Sequence, residues 1–70
     1  MILDRNYLVR PRKGDTLLNV KGKPAGTVVR IRNSGAVVVN RDGFAYELMG
    51  GMRWDWLMEF HRFRFLRSER

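Results

Sequence analysis

Cysteine is absent from this chain of 70 residues. No disulfide and no thiolate zinc site can therefore staple the fold, and stability has to come from one apolar core. The lack of cysteine also fits a reducing compartment. Proline occurs twice and histidine once. His61 is more often a surface or strand-edge residue than a ligand, and a base, a nucleophile and an oxyanion site are not assembled by the residues at hand. No GxSxG, phosphate-loop or metal-ligand spacing is present, and Asp55 and Glu59, four residues apart, form a common surface pattern. The expectation is a protein that is not an enzyme and takes no cofactor or metal. Long apolar runs are missing too. The opening Met-Ile-Leu-Asp-Arg-Asn-Tyr lacks the architecture of a signal peptide, and no stretch reaches the length of a membrane span, so a cytoplasmic protein is expected.

Negative charge is scarce. Fourteen Lys and Arg stand against seven Asp and Glu, a net charge of +7. For so small a domain this favours a polyanionic partner, either nucleic acid or an acidic protein surface. The bland alternative is a charge that serves solubility alone.

What is abundant is short β-rich runs separated by turn signals. From Gly14 to Leu48 the chain reads as a meander. Asn33-Ser34-Gly35 suits a three-residue hairpin loop with Gly35 left-handed, and Asp42-Gly43 suits a two-residue turn. These turns set Arg32 opposite Ala36, Ile31 opposite Val37 and Val29 opposite Val39. They also set Arg41 opposite Phe44, Val39 opposite Tyr46 and Val37 opposite Leu48. Directly opposed residues share a face. Val29, Ile31, Val37, Val39, Phe44, Tyr46 and Leu48 thus fall on one apolar side. Arg30, Arg32, Val38, Asn40, Ala45 and Glu47 fall on the other. Two independently chosen turns agree on that face. Arg30, Val38 and Glu47 form a row, and an Arg30–Glu47 ion pair there is worth under about 1 kcal/mol if exposed.

The predicted organisation is one domain. It has an extended basic lead-in over 1–13, the meander over 14–49, a short helix over 52–60, a closing strand over 62–66 and a tail over 67–70. Residues Arg67 to Arg70 are expected to be dispensable for folding. Met52, Trp56, Phe60 and Phe63 recur at helical spacing, although Trp54, Trp56, Met58 and Phe60 also alternate as in a strand.

Five antiparallel strands with a helical turn before the last resemble a small SH3-like barrel. The front half, residues 13–32, resembles the KOW motif of ribosomal proteins and transcription elongation factors. The carriers are Gly14-Asp15 followed by Leu17, Gly22, Gly26, Val28 and Val29. The resemblance implies binding to RNA, DNA or a nucleoprotein surface through the loops.

The candidate binding residues are Arg10, Arg12, Lys13, Lys21 and Lys23 beside the first strand, together with Arg32, Trp54, Arg62 and Arg64. Clustered cations of this kind contact phosphates and position a ligand without reading sequence. Most aromatics are assigned to the core. Trp54 is the exception, because Trp56, Phe60 and Phe63 share a helical face that excludes it. The Arg62, Arg64, Arg67, Arg70 series interleaved with Phe63 and Phe65 suits a polyanion better than a membrane surface, since the aromatics are needed to close the barrel. A second reading is a small adaptor or inhibitor of phage or mobile-element type that occupies an acidic protein surface with Arg and Trp.

Overall fold

The computed structural model describes residues 10–68. The apolar Tyr7-Leu8-Val9 patch of the lead-in and Arg70 lie outside them. Five strands follow in order: β1 (Thr16–Leu18), β2 (Pro24–Ile31), β3 (Val37–Arg41), β4 (Phe44–Glu47) and β5 (Arg64–Leu66). A 3₁₀ turn over Leu48–Gly50 and a helix α1 (Trp54–Phe60) separate β4 from β5. The sheet is antiparallel with the order β4-β3-β2-β1-β5.

This order corrects the expectation of an SH3-like barrel. Closure requires the two edge strands to meet, whereas β4 and β5 stay at opposite edges of an open sheet. The helix supplies the second layer instead. Leu57 of α1 joins Leu17, Val28, Val37, Val39 and Leu48 in the buried cluster, with Ala25, Ile31, Met52, Trp54, Phe63 and Phe65 packed against it. With α1 on one face of the sheet, the core is enclosed without curling. The five antiparallel strands and the helical turn before the last strand stand; the barrel does not.

Both turns form where the sequence places them. The Arg32 N–H donates to the Ala36 carbonyl at 2.9 Å, and Gly35 takes φ 95. Asp42 and Gly43 take φ 56 and 88, with Arg41 opposite Phe44. Positive φ at both central positions is what the right-handed twist of a two-residue hairpin demands. Ile31 pairs with Val37 and Val39 with Tyr46, as expected. A bulge between Val28 and Arg30 then inserts Val29 as an extra residue, so Val28, not Val29, faces Val39. Val28 is fully buried and Val29 only partly. Leu48 leaves the ladder for the 3₁₀ turn, yet its side chain still reaches the core.

Phe44 and Tyr46 share the face of Val39 but are exposed. The reason lies in where α1 docks. The Trp54 N–H donates to the Gly35 carbonyl, and Arg53 bridges to Ala36, so the helix starts at the β2–β3 turn. The β3–β4 turn is at the other end of β3, beyond that cover. The helix also takes a different phase from the one its aromatics suggest. Trp54, Leu57 and Met58 turn inward at spacings of three and four, while Trp56 and Phe60 face out. Leu57 fills the space over the sheet, Met58 is buried beside it in the helix, and the two outward rings stack edge to face, 6.1 Å apart.

After α1, Arg62 adopts the left-handed conformation at φ 60, and the Phe63 N–H donates back to the Leu57 carbonyl at 3.1 Å. This reverses the chain into β5, which lies antiparallel to β1 with Leu17 opposite Phe65.

Candidate functional site

The lead-in to β1 is held by one carboxylate. Asp15 is 1% exposed. One of its oxygens, Oδ2, accepts the Arg12 N–H at 2.9 Å, and the Asp15 N–H returns a bond to the Arg12 carbonyl at 3.0 Å. The other oxygen, Oδ1, accepts the Ser68 N–H at 3.0 Å, across 53 positions of sequence. Arg67 brings its Nε to 3.8 Å from Oδ2. A buried carboxylate is retained only when its lone pairs are answered in this way. Gly14 completes the turn at φ 98, with its N–H on the Val28 carbonyl. The Gly14-Asp15 pair thus clasps the start of β1 to the end of β5. Ser68, within the tail expected to be dispensable for folding, belongs to that clasp.

Arg12 and Arg67 of the clasp also line a groove of about 580 Å³, together with Arg10, Pro11, Lys13 and Ile31. Four of these six residues are cationic. Arg10, Arg12 and Lys13 are exposed, and Arg67 is exposed over roughly half of its side chain. Pro11 is buried and fixes the backbone from which the three neighbouring cations project. Arg67 completes the set. It lies past β5 in sequence and is brought here by its neighbour Ser68, whose N–H bonds to Asp15, a contact that no local sequence pattern signals.

The other candidate residues are placed apart from the groove. Lys21 and Lys23 sit in the β1–β2 turn, where their N–H groups donate to Asn19 Oδ1 at 2.9 and 3.0 Å. That turn is at the far end of β1 from Arg12, a separation of roughly 10 Å along a three-residue strand. Arg32 forms an ion pair with Glu47. The row of Arg30, Val38 and Glu47 exists, but it is Arg32 that takes the carboxylate. Arg64 donates to the carbonyls of Met58 and Phe63 at 3.0 and 2.9 Å and so ties the helix end to β5. Arg62 is exposed on the reversal. Trp54 is half-buried against the core, and the exposed aromatics of the helix are Trp56 and Phe60.

Asp55 pairs with Arg53 at 2.7 Å. Among the described residues no group of three or more His, Asp or Glu side chains is placed to hold a metal ion. No helix among them is long and apolar enough to cross a membrane.

No protein-family model, curated protein or solved structure matches the chain. The open sheet, with β4 and β5 at opposite edges, overturns the SH3-like and KOW resemblance. The Gly14-Asp15 pair that carried the resemblance has a local explanation in the clasp.

Proposed function

We propose that the protein is a non-enzymatic binding module that engages a nucleic-acid backbone, free or within a nucleoprotein, through the groove of Arg10, Arg12, Lys13 and Arg67. The observation that carries this reading is the meeting of four cations from opposite ends of the chain at one groove. Phosphates spaced along a strand suit such a row of guanidinium and ammonium groups, which fix register without selecting bases. The net charge of +7 adds long-range attraction to a polyanion. A cytoplasmic setting, where nucleic acid is within reach, is part of the proposal.

Titration against labelled RNA and DNA over a salt series tests it. Four engaged cations give a log–log salt slope of about −3 to −4, so binding weakens roughly a hundredfold between about 50 and 200 mM salt. No binding at low salt, or binding indifferent to salt, would refute the reading. Nuclease-resistant capture of a single acidic protein, with no affinity for nucleic acid, would refute it in favour of a protein surface.

A further inference from the structure

An edge strand carries a row of backbone N–H and C=O groups with no neighbour, and proteins usually guard such an edge with cations, proline or bulges. The two edges of this sheet differ. Arg64 lies within β5, with Arg62 just before it and Arg67 just after. The β4 strand, Phe-Ala-Tyr-Glu, carries no cation, no proline and no bulge. Its only charge, Glu47, is neutralised by Arg32. Phe44 is 76% exposed and Tyr46 42%. Among the described residues nothing pairs with its outer side.

We propose that β4 pairs antiparallel with β4 of a second copy, joining two sheets about a two-fold axis at Ala45. The hairpin fixes which groups point outward. Arg41 and Phe44 flank a two-residue turn and form a hydrogen-bonded pair, so Ala45 and Glu47 turn their N–H and C=O groups to the free edge. Pairing Ala45 with Ala45 of the second copy sets Phe44 opposite Tyr46 twice, and aromatic pairs of this kind stabilise antiparallel sheets. The competing registers are worse. Pairing Glu47 with Glu47 opposes like charges, and centring on Tyr46 sets Phe44 against Leu48, which is buried in its own core.

Charge opposes self-association and leaves one edge at which two copies can meet. Two chains of +7 repel, and β4 is the edge strand on which neither presents a cation. The groove cations lead into β1 and out of β5, on the other side of the sheet. A pair of four-residue strands and four aromatics buries on the order of 1,000 Å² at most, which is the range of weak, reversible association. The guarded β5 edge stops growth at two copies.

Sedimentation of the whole chain from roughly 1 µM to 1 mM, which brackets weak association, reads this directly. The mass is expected to rise from one copy to two. Ala45→Pro removes an outward N–H at an edge where proline is tolerated, so it should keep the native spectrum and weaken the dimer roughly tenfold or more. If Ala45→Pro loses the native spectrum, Phe44→Lys replaces it, because that side chain is already exposed. A chain that stays monomeric throughout, a mass that grows past two copies, or a folded variant that dimerises as tightly as the parent would overturn the proposal.

Discussion

Val37→Asp is expected to unfold the protein. Val37 is fully buried, and its neighbours in the core are apolar. An isolated carboxylate there costs several kcal/mol, more than about 4, which is most of the stability of a small domain. Val38→Asp separates this from any general intolerance of the strand. Val38 is half-buried on the opposite face, between Arg30 and Glu47 in the row. Its replacement by aspartate should cost about 1 kcal/mol and leave a cooperative urea transition. Equal losses at the two positions would mean that β3 is buried on both faces.

The second large effect is removal of residues 62–70. Phe63 and Phe65 are partly buried against the core, so each contributes part of the roughly 3–5 kcal/mol that truncating a fully buried aromatic costs. The same deletion strips β1 of its β5 partner and takes the Ser68 N–H from the buried Asp15. Leaving that carboxylate short of a donor adds a desolvation cost. The sum exceeds what a domain of this size holds in reserve. The truncated chain should give a collapsed, poorly dispersed proton spectrum. A dispersed spectrum with the parent core shifts would show that β5 is an arm and not part of the fold.

Much of the sheet was legible in the sequence because turns declare themselves locally. Gly35 and Asp42-Gly43 fixed two hairpins, and from them came the Ile31–Val37 and Val39–Tyr46 pairs. The bulge at Val29 was not legible, since Val28 and Val29 are chemically interchangeable and only packing decides which turns inward. Helix phase escaped for a similar reason. Trp54, Leu57 and Met58 are as apolar as Trp56 and Phe60, and the choice between them is made by where Gly35 receives the helix N-terminus. Closure escaped altogether, because strand number and alternation are the same for a barrel and for an open sheet capped by a helix. At the groove, Arg10, Arg12 and Lys13 were visible as a local basic run. The addition of Arg67 depends on a contact between Asp15 and Ser68, 53 positions apart, which no local pattern records, whereas Lys21 and Lys23 are excluded by lying in the turn at the far end of β1.

The most direct test of the binding account compares two double variants of equal charge. Arg12→Gln with Lys13→Gln removes two cations from the groove, and Lys21→Gln with Lys23→Gln removes two from the β1–β2 turn. The backbone bonds that hold each segment, Arg12 N–H to Asp15 and the Lys21 and Lys23 N–H groups to Asn19, are untouched by either change. Affinity for a labelled RNA or DNA at low salt is the measurement. The groove variant should bind far more weakly than the turn variant, with its salt slope shallower by about two. Equal losses in the two variants would contradict the account, because net charge alone, and not the groove, would then be holding the nucleic acid.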